Sequence, residues 1–202
     1  DTYEFGRVLV IDNWTMVTEK DEFIYHEMIT HVALATNPNI KNVLVIGAGD
    51  GGTVRELTRY NNIVNIDMVE IDKLVVEASI EYLPFTSCKL NDPRVNLYFE
   101  DGIKFVKDKK NLYDLIIVDS TDPIGPGEGL FTTEFYTNCF NALTEKVQIA
   151  EITATGTIKE SFDEYNGYYE VYSAENIRID RVLTRKEIIE GFLNMNSDIR
   201  LE

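Results

Sequence analysis

A short apolar segment followed by a glycine-rich turn constrains the fold of this chain more than any other feature. Residues 43–46 read Val-Leu-Val-Ile without a charge, which is typical of a strand buried on both faces. The turn at residues 47–52, Gly-Ala-Gly-Asp-Gly-Gly, lets backbone N–H groups approach a ligand closely. Glu70 ends the next predicted strand, where it can bind the two hydroxyls of a ribose. This order of elements predicts a nucleoside-containing ligand at the carboxyl edge of a parallel sheet.

The aspartate inside this turn narrows the class of ligand. Phosphate sites use the positive potential of a turn and a helix N-terminus, and Asp50 would repel such an anion. A ligand with a cationic reactive end fits better, which favours an S-adenosyl sulfonium compound. A second interpretation is that Asp50 only caps the following helix, predicted from Thr53 to Tyr60. Capping and ligand binding are compatible with each other.

Alternating strands and helices predict the fold class. Strands are predicted at 43–47, 65–71, 95–99 and 115–119, with helices near 53–60, 73–81, 102–107 and 132–143. Crossover helices between strands indicate an α/β fold with a doubly wound, mostly parallel sheet. Short strands are predicted within residues 4–18, and Thr18 begins a capping-box pattern before a helix that ends near Ala35. Ligands bind at the carboxyl ends of such strands, which is where the sequence places Asp50, Glu70, Asp101 and Asp119.

Charge and cysteine content restrict the partners. The formal net charge is −16, from 35 acidic and 19 basic residues, which disfavours nucleic acids and anionic membranes and attracts cations such as polyamines. Taken by itself, this charge is more simply explained by ordinary solubility. Cys88 and Cys139 show no disulfide or metal-ligand pattern, and no secretion signal or membrane-length segment is present, so we expect a soluble, cytoplasmic protein. His26 and His31 lack a metal-ligand spacing, and we expect His31 to be a packing residue.

The segment after the fourth strand carries two carboxylates in a loop rich in proline and glycine. Asp119 and Asp122 would face the reactive carbon of the ligand. Carboxylates there suit a positively charged nucleophile, such as an amine, that must lose a proton before it attacks. The alternative is a structural turn in which Asp122 only caps the loop.

With these motifs in order, the sequence resembles the aminopropyltransferase (spermidine synthase) family. The matching stretch runs from Tyr3 to about Glu145. It contains Glu19–Met28, Gly47–Gly52, Val69–Asp72, Asp92–Val95, Asp101–Gly102 and Asp119–Pro126. The resemblance implies the Rossmann-like fold of S-adenosylmethionine-dependent methyltransferases.

The resemblance also implies a reaction of polyamine biosynthesis. An aminopropyl group would pass from decarboxylated S-adenosylmethionine to putrescine, giving spermidine and methylthioadenosine. The donor is a co-substrate, and neither a separate cofactor nor a metal is expected. A homo-oligomer, either a dimer or a tetramer, is implied as well.

Roles for individual residues follow from the same resemblance. The implied donor site consists of Gly47, Gly49, Asp50, Glu70, Asp101 and Gly102. The implied acceptor side consists of Tyr25, His26, Asp50, Asp119 and Asp122. Within these sets, Glu70 holds the ribose, Asp50 binds the ammonium of the aminopropyl arm, and Asp119 takes the proton from the attacking amine. Asp101 and Gly102 lie by the adenine.

The sequence divides into three segments. Residues 1–18 are a remnant of an N-terminal strand region, residues 19–145 form the nucleoside-binding α/β domain, and residues 146–202 are an unrecognised α+β tail. The tail predicts a strand at 147–158, a pair of strands at 168–172 and 177–182, and a helix after Thr184. It either supplies a fifth strand of the sheet or forms a separate module.

Two other functions remain open at this level. An S-adenosylmethionine-dependent methyltransferase would share the fold and the ribose-binding acid, although Asp50 and the pair Asp119/Asp122 argue against it. A protein that binds the donor without turnover is the other alternative, because part of the acceptor pocket is not recognisable.

Overall fold

The main structural element is a seven-stranded sheet. The computed structural model describes residues 2–37, 39–121, 125–151, 170–173 and 178–182. In chain order, its elements are β1 (Val8–Ile11), β2 (Trp14–Thr18), α1 (Glu22–Thr36), β3 (Asn42–Gly47), α2 (Gly52–Leu57), β4 (Asn65–Val69), α3 (Lys73–Tyr82), α4 (Pro84–Ser87), β5 (Val95–Tyr98), α5 (Gly102–Lys107), β6 (Tyr113–Asp119), a 3-10 helix (Gly125–Phe131), α6 (Thr133–Ala142), β7 (Leu143–Glu151), β8 (Glu170–Ser173) and β9 (Arg178–Val182). Strands β1 and β2 form a separate antiparallel pair.

The strand order in the large sheet is β5-β4-β3-β6-β7-β8-β9. The five strands from β5 to β7 are parallel, and β8 and β9 are antiparallel to their neighbours. The predicted α/β fold with a doubly wound, mostly parallel sheet is therefore confirmed. The chain runs outward from β3 to β5 and then returns to the other side of β3 as β6. The direction of strand succession therefore reverses between the adjacent strands β3 and β6. Ligands bind at the carboxyl ends of such a strand pair, where Gly47 and Asp119 are register partners.

Helices on both faces explain why residues 43–46 of β3 are all apolar. Val45 packs on one face with Leu57 of α2, and Ile46 packs on the other face with Phe135 of α6. All four of these side chains are buried. Burial on both faces removes the polar alternation expected of a strand with a solvent-exposed side.

Two helix boundaries differ from those predicted. The capping box at Thr18 is wrong, because Thr18 is the last residue of β2 and its hydroxyl donates to the carboxylate of Asp21, so that α1 begins at Glu22. Helix α2 ends at Leu57 instead of Tyr60. The backbone N–H of Tyr60 bonds to the carbonyl of Leu57, which is the pattern of a tightened turn.

Strand β7 occupies the place of a fifth parallel strand. It begins at Leu143, earlier than the strand predicted at 147–158, and pairs with β6. Strands β8 and β9 pair in antiparallel fashion, as predicted for segments 168–172 and 177–182. The structure therefore favours the first of the two interpretations of the tail. The helix predicted after Thr184 lies outside the described residues, and the division at residues 18 and 145 stays a prediction.

No helix within the described ranges has both the length and the apolar character needed to cross a membrane.

Candidate functional site

The glycine-rich turn is fastened to the end of β6. Gly47 has a φ of 89°, and a Cβ at this position would lie 1.9 Å from the carbonyl oxygen of Asp119, so only glycine fits. The next backbone N–H, of Ala48, donates to the same oxygen at 2.9 Å. Ala48 itself has a φ of 64°, an uncommon conformation for a residue with a side chain. These contacts hold the turn after β3 directly against Asp119.

The carboxylate of Asp119 accepts one hydrogen bond on each oxygen. The hydroxyl of Tyr25 donates to Oδ1 at 2.8 Å, and the hydroxyl of Thr53 donates to Oδ2 at 2.6 Å. Burial and the negative charge of Asp50 raise the pKa of Asp119 above its ordinary value. The charge of His26 and the two hydroxyl donors act in the opposite direction, but they do not outweigh this rise. A carboxylate with a raised pKa is suited to accept a proton near neutral pH.

Asp50 lies in the same site, but its pKa is lowered, whereas that of Asp119 is raised. Its Oδ1 accepts a hydrogen bond from the backbone N–H of Gly52 at 2.7 Å and lies 3.2 Å from Nε2 of His26. Burial alone would raise the pKa of Asp50, but the contacts with His26 outweigh it and lower the pKa. The bond to Gly52, the first residue of α2, shows that Asp50 does contribute to the start of this helix.

His26 lies between two acids. Its Nδ1 is 2.6 Å from Oε2 of Glu22, and its Nε2 faces Asp50. Both ring nitrogens meet groups that accept hydrogen bonds when ionised, so the imidazolium form satisfies both contacts. Burial lowers the pKa of His26, but the hydrogen bonds and charges of Asp50 and Glu22 prevail and raise it to about 10. A Cβ on Gly52 would lie 2.3–2.5 Å from the ring, so glycine is needed there for close packing.

A partly buried ionic network continues from His26 through Glu22 to Arg55. Arg55 of α2 donates from Nη1 and Nη2 to the two oxygens of Glu22, at 2.7 and 3.0 Å. It also donates from Nε to Glu56 at 2.8 Å. Although burial opposes both changes, the contacts with His26 and Arg55 lower the pKa of Glu22, and the contacts with Glu22 and Glu56 raise that of Arg55. Sequence reasoning missed Glu22, Thr53 and Arg55, and only the spacing of Glu22 and His26, four residues apart on one helix, could have indicated a pair.

Glu70 joins Asp50 and Asp119 at the sheet edge. Its Oε1 accepts the backbone N–H of Asp72 at 2.9 Å, and a Cβ on Gly49 would lie 2.8 Å from its Oε2. Burial raises the pKa of Glu70, and the charges of Asp72 and Asp119 add to this rise. The structure thus brings the predicted residues Gly47, Gly49, Asp50, Glu70, Asp119, Tyr25 and His26 together.

The remaining predicted residues are placed differently. Asp101 caps α5 by accepting the N–H of Ile103 at 2.9 Å, and Lys104 lies 3.4 Å from its other oxygen. Gly102 packs against β3, since a Cβ there would lie 2.5 Å from Cγ2 of Ile46. Within the described ranges, no direct bond links Asp101 to the other three acids. Asp122 lies outside the described residues.

One cluster has the side chains of a metal site. Ligand atoms of Glu27, His31 and Glu56 lie within 4.8 Å of one another. However, Nη1 of Arg59 donates to Oε2 of Glu56 at 2.6 Å, and Nε2 of His31 lies 3.0 Å from the same oxygen. This oxygen is therefore already engaged by protein groups. His31 is buried, as predicted for a packing residue, and its two ring nitrogens contact the carboxylate of Glu56 and the hydroxyl of Tyr60.

Comparison with known proteins decides the family. The family model described as "Spermine/spermidine synthase domain" matches residues 22–160. The chain belongs to this family. The family resemblance and the Rossmann-like fold inferred from the sequence are thereby confirmed.

Relatives of this spermine/spermidine synthase domain are close in sequence. A polyamine aminopropyltransferase of Alkaliphilus oremlandii is 72% identical over 145 residues, which cover 72% of this chain and 51% of the relative. One from Clostridium perfringens is 74% identical over 142 residues, covering 70% and 50%. The chain therefore spans about half the length of the curated relatives it matches.

Two solved structures are also similar. The crystal structure of a spermidine synthase in complex with the transition-state analogue AdoDATO matches with a TM-score of 0.72 and 46% identity, over 74% of this chain and 51% of that one. The spermidine synthase of Thermotoga maritima matches with a TM-score of 0.73 and 40% identity, over 83% and 62%.

Proposed function

We propose that this domain catalyses aminopropyl transfer from decarboxylated S-adenosylmethionine to putrescine, giving spermidine and methylthioadenosine. The observation that carries the proposal is the pair Asp50 and Asp119, two acids in one site with pKa values displaced in opposite directions. One stays ionised and can bind a cation, and the other can accept a proton. The names of the relatives and of the solved structures agree with this assignment.

The donor would bind along the edge from β3 to β4. Glu70, held by the N–H of Asp72, is placed to accept hydrogen bonds from the ribose hydroxyls. Asp50 would receive the ammonium of the aminopropyl arm. Ordinary S-adenosylmethionine carries a carboxylate on this arm, which Asp50 would repel. Gly47 and Gly49 would allow the backbone to approach the nucleoside, while Asp101 and Gly102 would lie nearer the adenine.

The acceptor would approach from the side of α1. Tyr25 and Asp122 would orient putrescine, and His26 would line the same region. In the chemical step, the amine nitrogen of the acceptor attacks the methylene carbon bound to sulfur, and the carbon–sulfur bond breaks. The electron pair of this bond stays on sulfur, which leaves as the neutral thioether methylthioadenosine. The proton lost by the amine passes to Asp119, so the step needs no metal and no covalent enzyme intermediate.

Two alternatives are distinguished by specific observations. A methyltransferase would have to accommodate the donor's carboxylate near Asp50, which the ionised state of this residue disfavours. Donor binding without turnover is the other alternative, because part of the acceptor pocket is not recognisable in the sequence. We propose the cytoplasm as the compartment, as expected from a sequence whose two cysteines follow no disulfide or metal-ligand pattern. The expected dimer or tetramer is checked by light scattering of the purified chain.

A product assay tests the proposal. The 202-residue chain is supplied with both substrates, and methylthioadenosine and spermidine are followed by chromatography. We expect both products in equal amounts. Donor binding without either product would support the non-catalytic alternative, and a methylated product formed from ordinary S-adenosylmethionine would support a methyltransferase.

A further inference from the structure

Thr53 is a fully buried threonine with an unusual hydrogen-bond partner. It lies at the start of α2, its side chain is 0% exposed, and its hydroxyl donates to Oδ2 of Asp119 at 2.6 Å. The two residues are 66 positions apart in the chain. The contact therefore links α2 directly to the carboxyl end of β6.

Two other hydroxyl side chains in the described helices bond locally instead. Ser79 in α3 donates to the carbonyl of Val75 at 2.7 Å, and Thr137 in α6 donates to the carbonyl of Thr133 at 2.7 Å. This bond to the carbonyl four residues earlier is the usual local partner of a helical hydroxyl. Thr53 instead reaches across the site. Because a β-branched side chain has few rotamers, its hydroxyl is held in a fixed direction.

We propose that Thr53 is a positioning residue for aminopropyl transfer, which fixes the plane of the Asp119 carboxylate by engaging the oxygen opposite the one bound by Tyr25. This inference rests on the proposed function. The backbone of Asp119 is already held by the N–H of Ala48, so with Thr53 and Tyr25 the residue is restrained at three atoms. Restraint of this kind favours catalysis because less reorganisation is needed when the proton is transferred.

The hydroxyl of Thr53 also affects the ionisation of Asp119. As a donor to the carboxylate, it favours the charged form and lowers the pKa. Among the residues that the structure describes, the other titratable groups facing Asp119 are Tyr25 and His26 from α1, Asp50 from the turn after β3, and Glu70 from the end of β4. Since these groups stay in place, removal of the Thr53 hydroxyl should raise the pKa of Asp119.

The test replaces Thr53 by valine, which removes the hydroxyl and keeps a branched side chain. We expect kcat to fall about tenfold, with the KM for the donor changed less than about twofold. The acid limb of the kcat profile should move to higher pH by about one unit. Thr53→Ser keeps the hydroxyl and should return the acid limb close to its original position. Thr53→Ala provides a second variant without the hydroxyl and should show the same shift as valine.

A second readout does not require turnover. The chain is labelled with 13C-aspartate, the signal of Asp119 is assigned from the Asp119→Asn variant, and its pKa is measured by titration. We expect a higher pKa in Thr53→Val and Thr53→Ala than in the original chain. If the original chain forms no product, the proposed function fails, and the titration still decides whether Thr53 controls Asp119.

The matched control is Thr30→Val, another fully buried helical threonine. Its hydroxyl has no hydrogen-bond partner among the described residues, and it belongs to no part of the site. We expect kcat, the pH profile and the Asp119 signal to stay unchanged. An unchanged Asp119 pKa in Thr53→Val, or equal impairment in Thr53→Ser and Thr53→Val, would overturn the inference.

Discussion

Nε2 of His26 lies 3.2 Å from Oδ1 of Asp50, so a buried imidazolium touches the carboxylate proposed to bind the ammonium of the donor. The contact keeps Asp50 ionised, and the donor would share this acid with a cation of the protein itself. On its other side, His26 contacts the carboxylate of Glu22, which is also bound by Arg55. The site is therefore held together by alternating charges from α1, α2 and the turn after β3.

This arrangement predicts how stability depends on pH. Despite burial, contacts with Asp50 and Glu22 raise the pKa of folded His26 to about 10, above the ordinary value of 6.5. A raised pKa stabilises the fold fully below about pH 6.5, and this contribution is lost as the pH rises towards 10. In His26→Gln, the free energy of unfolding should change less between these values. Urea unfolding at several pH values measures this free energy. If it changed with pH in the same way in both proteins, His26 would make no such contribution.

Replacing Asp119 by asparagine should abolish transfer and spare donor binding. The variant keeps the size of the side chain but loses the proton acceptor, so kcat should fall about 10²- to 10⁴-fold. Donor affinity, measured by calorimetry, should stay within a few-fold. Asp114→Asn is the matched control, since this acid lies near the start of β6, bonded to the N–H groups of Lys41 and Asn42. Near-normal turnover in Asp119→Asn would refute the assignment of Asp119 as the proton acceptor.

Gly52→Ala should destabilise the site, because the new methyl group would clash with the imidazole of His26. Its Cβ would meet the His26 imidazole at 2.3–2.5 Å, and this ring is held on two sides. We expect a loss of about 1–3 kcal/mol in the free energy of unfolding and weaker donor binding. In the control Gly129→Ala, the new Cβ meets the tip of the Ile103 side chain at 2.5 Å, and this flexible group can move away. Equal losses in both variants, measured by denaturant unfolding, would contradict this explanation.

The unpartnered hydroxyl of Thr30 gives a prediction of increased stability. Within the described ranges it bonds to nothing, so Thr30→Val should raise the free energy of unfolding by about 1 kcal/mol. Thr86 is equally buried but donates to the carbonyl of Leu83 at 3.0 Å, and Thr86→Val should lower stability by a similar amount. Thermal unfolding of the two variants checks the opposite signs. A loss of stability in both would indicate that Thr30 has a partner after all.

The site residues that belong to short sequence motifs could be predicted from the sequence. Those whose role depends on a partner distant in the chain could not. The turn at 47–52 and the acids at strand ends are set by short segments, and the parallel sheet then brings Asp50, Glu70 and Asp119 to one edge. The role of Thr53 depends on a partner 66 residues away, and that of Arg55 on a partner 33 residues away. A charged residue on a helix is usually solvated, so nothing local indicated that Arg55 and Glu22 form a partly buried pair.

Contacts with distant residues also explain why some predicted ends of helices and strands were wrong. Thr18 has the sequence pattern of a helix cap, but tertiary pairing makes it part of β2. The pattern could not show that the last residue of a strand uses its hydroxyl for Asp21. Asp101 lies in the segment between β5 and α5, and its contacts show that it caps α5.

The most direct test of the central claim is a calorimetric comparison of two donors on the unmodified chain, S-adenosylmethionine with and without its carboxylate. An ionised Asp50 should favour the decarboxylated compound by at least about tenfold in affinity, because only that compound presents an ammonium without a neighbouring negative charge. Equal affinities, or tighter binding of ordinary S-adenosylmethionine, would contradict a site built for an aminopropyl donor.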